Sequence, residues 1–495
     1  MPEDPQSENS NAILNLKGNV VACIPREINL MTPYVLLEQE DWFENEINFV
    51  RSLARHVNSS FDIGANFGLY SLALANGGAL HNQVWSFEPM DPPRSFFEQS
   101  IVSNDFNNIK VVDVALSSFS GSANMYGGAN TELSTLNKAL AQEDSQEKIV
   151  AVRTLDDFCT ERELTEVDFI KIDAEGEEEN VIWGGHNLLK SCTPLVMFEI
   201  DTKSTKFRTV ANILEDASYD IYRHCPGLNC LVPIDLDANI DPFQLNLFCC
   251  KPDRAGWLAT RELLVLSSAG RLRPEMTAGS HAQSELAKYL HSNFHSNSFD
   301  FDLVGRESDQ VSYLYSISCY GLAQDENRNL SERFALLEVS FDTLRELCAN
   351  QPTRSRLMTL ARVASDFGAQ TLAVRTLSQL EKNFQTLEYN DKEAFLPASQ
   401  RFDSIDPQEN RHLWMRACVS EQKLVLSAYS SYFADDDYLD ALDRLRDMHF
   451  FGAEIERRWQ LMRMLRGKQS GIQATEFLAR PSPENLNPQI WGVAA

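Results

Sequence analysis

The chain has 495 residues, 43% of them hydrophobic, with 44 Lys plus Arg against 71 Asp plus Glu and a formal net charge of -27. A chain of this length is more than one hydrophobic core usually spans, so two or three domains are expected. So acidic a surface repels phosphate backbones and anionic lipid, which excludes a general nucleic-acid or membrane-surface role.

The opening stretch MPEDPQSENSN is acidic and polar. It lacks the basic start and apolar core of a secretory signal, and no long uncharged apolar run follows, so a soluble, cytoplasmic protein is expected. Residues 1–16 read as a disordered tail, 17–252 as an α/β domain and 253–495 as an α-helical domain. Up to about Lys251, short apolar runs alternate with amphipathic stretches, the pattern of a largely parallel sheet with helices on both faces. SSFDI (59–63) reads as a strand, and NFGLYSLALANGG (66–78) as a helix closed by glycine. QVWSFE (83–88) is the next strand, followed by a helix over about 92–103. IKVVDVAL (109–116) reads as one strand, SGSANMYGG as a hairpin, and the polar residues 130–146 as a surface loop or mobile flap. VDFIKID (167–173) is the most apolar strand and the expected centre of the sheet. A helix EEENVIWGGHNLLKS, the strand PLVMFEI (194–200), a helix-then-strand TVANILEDASYDIYRHC and a last strand LNLFCCK (245–251) complete it.

The ten cysteines are scattered. Cys225 and Cys230 flank PGLN, and Cys249 and Cys250 are adjacent on an apolar run. Neither pair has a second pair at zinc-site spacing, so strand burial is expected.

From Pro252 the strands fade. SERFALLEVSFDTLRELCAN begins with an N-cap residue and a glutamate and sets Phe334, Leu337, Phe341, Leu344 and Leu347 along one face. RSRLMTLARVASDFG and AQTLAVRTLSQLEKN form two helices split at Gly368, and others start near Asn410, Asp437 and Glu454. Residues 293–302 and 397–409 read as loops. Paired helices with small residues at their turns suggest a stack of α-hairpins of the tetratricopeptide kind, without a clean period.

Three strand ends carry chemistry. In DIGANFG, Gly64 sits at a strand-to-helix turn and Gly68 lies four residues on. Glycine there tolerates positive φ and lets the backbone approach a ligand. The helix start that follows offers unpaired N–H groups to a carboxylate. The Gly-x-Gly-x-x-Gly dinucleotide fingerprint is absent, and the stretch alone fits a structural corner as well as a ligand site. The second strand end is Phe87-Glu88-Pro89, beside that turn at the carboxyl edge where doubly wound sheets bind ligands. A carboxylate there accepts two hydrogen bonds from a ribose diol. Adenosine held by a carboxylate, without a phosphate cradle, fits S-adenosylmethionine better than NAD. The third end is Asp173, followed by Glu175 and Gly176, where loop bracing is the alternative for either acid. Glu177, Glu178 and Glu179 open the next helix, suit its dipole, and are expected to be solvated.

Six blocks in order, FDIGANFGLYSLALA, WSFEPMDP, VVDVALSSFSG, VRTLDDF, FIKIDAEGEEENVIWGG and PLVMFEI, resemble the FkbM family of S-adenosylmethionine-dependent methyltransferases. The resemblance covers roughly residues 61–200 and extends loosely to 251. It implies a Rossmann-like methyltransferase sheet with an antiparallel final strand, within 17–252. It also implies O-methylation of a hydroxyl, most often on a sugar of a glycan or a glycosylated natural product. By motif, Asp62, Gly64, Asn66 and Gly68 would frame the methionine end of the cofactor, Glu88 would hold the ribose, and Asp113 to Ala115 would lie near the adenine. At His186 the family varies freely, so a surface histidine is expected.

The sulfonium already carries a good leaving group, so the enzyme must mainly align and desolvate the nucleophile. A sugar hydroxyl also needs a base or a metal. Asp173 is the first candidate for either role, with Glu175 and Glu199 as supporting carboxylates at neighbouring strand ends. Three such groups at one rim are able to bind Mg²⁺, and the metal is left open. The expected partner is a small-molecule or glycan acceptor, with no nucleic acid and no membrane insertion. The helical half offers a surface for a protein partner or for self-association, or simply stabilises the first core. Two rival readings stand: a scaffold on a catalytically silent fold, and an NAD-dependent oxidoreductase, against which the missing glycine triplet speaks.

Overall fold

The computed structural model describes residues 11–77, 82–127, 134–141, 145–204, 206–266, 308–390, 393–407 and 410–467. The first half contains, in order, β1 (Asn11–Leu16), β2 (Val20–Pro25), α1 (Met31–Gln39), α2 (Glu46–Leu53), β3 (Ser59–Ile63), α3 (Leu69–Gly77), β4 (Gln83–Phe87), α4 (Pro93–Ser103) and β5 (Ile109–Val112). It continues with β6 (Ala115–Leu116), β7 (Gly121–Gly127), β8 (Gln146–Arg153), α5 (Leu155–Glu161), β9 (Phe169–Ile172), α6 (Glu178–Gly184), α7 (His186–Ser191) and β10 (Leu195–Glu199). Then come α8 (Lys206–Asp216), β11 (Asp220–Cys225), β12 (Cys230–Pro233), β13 (Asn246–Cys250) and α9 (Pro252–Ala259).

The main sheet has eight strands in the order β12-β11-β13-β10-β9-β3-β4-β5. β10, β9, β3, β4 and β5 run parallel, and β13 lies antiparallel between β10 and β11. The run FIKI of β9 is buried throughout, as a strand covered on both faces must be. One face packs against α2, α3, α4 and α9 through Leu53, Leu72, Phe97 and Leu258. The other packs against α5, α6, α7 and α8 through Phe158, Val181, Leu188 and Leu214. This is the expected Rossmann-like sheet, with VDFIKID near its centre and the last strand reversed.

Several boundaries differ from expectation. Residues 11–16, expected in a disordered tail, form β1 and pair antiparallel with β2. The run IKVVDVAL is two strands: the chain leaves the main sheet after Val112, and β6 joins β8 in a separate sheet of three. SGSANMYGG is one strand of that sheet, β7, paired with β8 rather than folded on itself. Of the expected flap, residues 134–141 and 145–146 are described. Thr135 bridges to Tyr126 there, so that part is pinned to β7. The loop expected at 293–302 lies outside the described residues.

The helical half comprises α10 (Ser308–Ala323), α11 (Leu330–Asn350), α12 (Arg354–Phe367), α13 (Gln370–Asn383), α14 (Arg411–Ser427), α15 (Asp436–Arg446) and α16 (Ala453–Leu465). Successive helices pack on each other. The cap of α11 is Asn329, whose side chain accepts from the Glu332 N–H at 2.9 Å, two residues before the expected start. Gly368 ends α12 in the left-handed region at φ 89°, as glycine permits.

This half shares its core with the sheet. Cys225, Cys230 and Val232 of β11 and β12 belong to the helical cluster, and Leu461 of α16 to the sheet cluster. Asp241 accepts from Thr371 N and Oγ1 at 2.9 and 2.7 Å, and Arg223 Nη1 donates to Phe367 O at 2.6 Å. The edge strand β12 is paired by residues 263–265, with Leu231 N donating to Leu263 O and Val265 N to Leu231 O, each at 2.9 Å, which removes a pairing hazard. Cys225, Cys230, Cys249 and Cys250 are all buried and unbridged. His186 is exposed at the start of α7. Among the described residues, no helix is long and apolar enough to cross a membrane.

Candidate active site

The carboxyl ends of β3, β4, β9 and β10 open into a cavity of about 500 Å³, within the usual range for a small-molecule site. Its floor is the bend after β3. Gly64 and Gly68 have φ of 74° and 76°, and Asn66, between them, 51°. The N–H groups of Gly64 and Ala65 donate to Phe87 O at 3.1 and 3.0 Å, which locks the bend to the end of β4. A Cβ on Gly64 would lie 1.7 Å from the Asp173 carbonyl oxygen, and one on Gly68 2.0 Å from the Phe97 ring. Neither site admits a side chain, so both glycines are required by close approach as well as by φ.

Glu88 follows β4 and is 7% exposed. Its Oε2 accepts from Asn66 N at 2.8 Å and its Oε1 from Met90 N at 2.7 Å. Burial raises its pKa to about 7, against the pull of those two amides. The carboxylate is thus aimed by backbone and lines the cavity beside the glycine bend.

Much of the remaining lining is acidic. Glu44, Asp173, Glu175, Glu177 and Glu199 belong to it, with Lys171. Lys171 projects from the middle of β9 and donates to Asp173 Oδ2 at 3.0 Å. It also lies 3.6 Å from Asp62 Oδ1 and sits over the Tyr70 ring. Burial works against its charge, but Asp173 and Asp62 outweigh that and hold the ammonium above its ordinary pKa. Enclosure raises Glu175 to about 8, with Asp173 and Glu178 adding to it. Enclosure also raises Glu199 to about 10, and Asp173, Glu175, Glu178 and Glu44 push the same way. Glu199 is nevertheless open to the water of the cavity. Like charges crowded at one rim resist ionising together.

The structure brings Gly64, Asn66, Glu88, Ala115, Asp173, Glu175 and Glu199 to this one cavity. It does not bring Asp62, Gly68 or Asp113. Asp62 is wholly buried under the floor, where it accepts from Ser71 Oγ at 2.6 Å and faces Lys171. Gly68 packs on Phe97. Asp113 stands 65% exposed and pairs with Arg94, because the chain turns away between β5 and β6. The loop-bracing role considered for Glu175 belongs to Glu178, whose Oε1 accepts from Ala174 N and Gly176 N, each at 3.1 Å. Glu177, expected in solvent, is buried and accepts from Ser117 Oγ at 2.8 Å. The Mg²⁺ set is not formed: among the described residues, no group of three or more His, Cys, Asp or Glu is placed to hold a metal ion. Asp173 already has a cation in Lys171.

Sequence reasoning missed Lys171, although a lysine inside an otherwise apolar buried strand is itself a signal. It also missed Glu44, which accepts from Asn246 Nδ2 at 3.0 Å and from the Tyr70 hydroxyl. Trp42 and Phe43 before α2, and Tyr429 and Phe433 after α14, complete the wall. No local pattern marks these four.

A largely parallel sheet in which β12 and β13 run the other way, a glycine bend at the end of β3 and a buried carboxylate at the end of β4 define a Rossmann-like α/β fold of the methyltransferase class. Residues 62–221 match the model of the Methyltransferase FkbM domain, and the chain carries that domain. No curated protein matches the chain. Among solved structures it is similar to Methyltransferase FkbM from Methylobacillus flagellatus KT, at 19% identity and a TM-score of 0.26, over 39% of this chain and 43% of that one. The alignment therefore spans less than half of that protein. The chain is also similar to an O-methyltransferase from Bacillus cereus in complex with SAH, at 13% identity and a TM-score of 0.26, over 42% of this chain and 80% of that one. A precorrin-6y C5,15-methyltransferase from Geobacter metallireducens GS-15 aligns at 13% identity and a TM-score of 0.24, over 41% and 86%.

Proposed function

We propose that the protein is an S-adenosylmethionine-dependent O-methyltransferase acting on a hydroxyl, most often of a sugar, in the cytoplasm. One observation carries the reading: the glycine bend and Glu88 share a single cavity with Asp173 and Glu199. The residues present fit the donor. Glu88, fixed by two amides, has lone pairs left for a ribose diol, and DIGANFG lacks the Gly-x-Gly-x-x-Gly spacing of a pyrophosphate cradle. When bound, S-adenosylmethionine supplies an electrophilic methyl on a sulfonium.

The chain does the rest. Asp173 takes the proton of the acceptor hydroxyl, and Lys171 holds its carboxylate in place. Glu175 and Glu199 keep their protons near neutrality and are poised to donate hydrogen bonds to the acceptor. Trp42, Phe43, Leu69 and Leu136 give the cavity its apolar lining. Calorimetry with S-adenosylhomocysteine and with NADH tests the reading: the first binds and the second does not. Glu88→Ala should weaken S-adenosylhomocysteine by about tenfold, the worth of one charge-assisted hydrogen-bonding group, with the fold intact by circular dichroism. Unchanged affinity removes Glu88 from the ribose role.

A further inference from the structure

The mouth of the cavity is built by segments outside the matched domain. Trp42 and Phe43 come from the turn between α1 and α2, and Tyr429 and Phe433 from the turn after α14. The rings form a chain: Trp42 to Phe43 at 4.5 Å, Phe43 to Tyr429 at 5.3 Å, and Tyr429 to Phe243 at 5.6 Å between centroids. Phe433 is 54% exposed, unusual for a phenylalanine. The turn is held in place, because Gln39 Nε2 donates to Tyr429 O at 2.6 Å. The Tyr429 hydroxyl is buried with no hydrogen-bond partner among the described residues. A phenol left so is one a ligand can satisfy.

The same cavity is lined by the carboxyl side chains of Glu44, Asp173, Glu175 and Glu199, with Lys171 as the one lysine or arginine among the described lining residues. A ligand suited to both sets of side chains has an apolar face for the rings and many hydroxyl or amino groups at its edge for the carboxyl groups. It carries no anionic group. A pyranose has that shape, with axial C–H bonds on one face and hydroxyls around the rim. A flat phenol offers the face but few donors.

We infer that the aromatic wall supplied jointly by Trp42, Phe43, Tyr429 and Phe433 is the acceptor subsite, taking the C–H face of a neutral or amino-bearing pyranose and rejecting phosphorylated and uronic sugars. The helical half is then part of the active site. The inference rests on the methyltransferase reading for its place in a reaction, but not for its binding test.

Saturation-transfer NMR on the full chain, with and without S-adenosylhomocysteine, measures binding of methyl β-D-glucopyranoside, methyl β-D-glucosaminide, methyl β-D-glucuronide, glucose 6-phosphate and catechol. The neutral and amino glycosides should bind at least about tenfold tighter than the two anionic sugars, which bring a negative charge to a cavity whose lysine is already paired with Asp173. Tyr429→Ala and Phe433→Ala should each weaken the neutral glycoside by about fivefold, the worth of a lost ring contact. Tyr429→Phe, which keeps the ring, should lose about half of that effect on a logarithmic scale. Phe433→Trp should keep full binding. S-Adenosylhomocysteine affinity should stay within about twofold in all four, since separate sites add independently. Phe119→Ala, at another exposed phenylalanine that does not line the cavity, should change nothing. Equal binding of anionic sugars, preference for catechol, or glycoside binding untouched by the loop variants overturns the proposal. Failure of S-adenosylhomocysteine to bind the unaltered protein overturns the cofactor reading alone, because the glycosides are also measured without it.

Discussion

Two groups of buried acids in this molecule are treated in opposite ways. At the junction of the halves, Glu38 of α1 is wholly buried. It accepts from Ser431 N at 3.0 Å and from the Ser431 hydroxyl, and lies 3.6 Å from Arg458, itself 1% exposed. Arg458 goes on to Tyr438 and Glu454, at 2.7 and 2.9 Å. That charge is matched on every side. In the cavity, Glu44, Asp173, Glu175 and Glu199 line one space with Lys171, which pairs with Asp173, and enclosure raises the pKa of Glu44, Glu175 and Glu199. The first arrangement is finished and holds the fold. The second leaves unmet valence, which is what a binding site needs.

Four experiments bear on this contrast. The largest effect is expected at Asp173. Asp173→Asn should cut methyl transfer by about a hundredfold or more, the usual worth of a general base, and leave S-adenosylhomocysteine affinity unchanged. Full activity rules out its role as base. Next is the junction. Arg458→Met strands Glu38 and should cost about 3–5 kcal/mol in urea unfolding. The double variant with Glu38→Gln should regain most of it, and no recovery would mean that the pair is not the source of the loss.

The smallest effect concerns pH. Glu46, Glu88, Glu175 and Glu199 have folded pKa values of about 8, 7, 8 and 10, all raised by burial first. The native state therefore holds more protons than the unfolded chain, and stability falls as pH rises from the ordinary glutamate range through those values. Glu199→Gln, which cannot ionise, should raise Tm slightly at pH 8.5 relative to the unaltered protein and do little at pH 5.5. A larger gain at the lower pH contradicts the sign. The cationic donor should also drive proton release on binding, more than S-adenosylhomocysteine does, readable by calorimetry in buffers of different ionisation enthalpy.

How far the sequence revealed this follows from locality. FDIG, SFEP and FIKID are contiguous, and their apolar runs and breakers announce both the strands and what hangs from their ends. The β1–β2 hairpin is hidden because NAILNL is short and abuts a polar tail. α1 is hidden because nearly every side of MTPYVLLEQ is buried, so no polar face sets a period. The exchange of roles between Glu175 and Glu178 turns on a loop whose Glu175 has φ 49°, which spacing does not disclose. Tyr429 meets Phe43 only through tertiary packing, and no window on the chain contains both. Asp113 followed its motif correctly in sequence, yet its side chain stands outside the wall because the next residues leave for another sheet.

The bonds between Ser431 and Glu38 join residues 393 positions apart. At about 5–20 residues per second on the ribosome, α1 waits roughly 20–80 s for the partner that clasps it. Until residues 429–433 have emerged, the cavity lacks the aromatic side chains of Tyr429 and Phe433. A nascent or prematurely stopped chain that lacks residues 429–433 therefore holds the glycine bend and Glu88 but no finished enclosure.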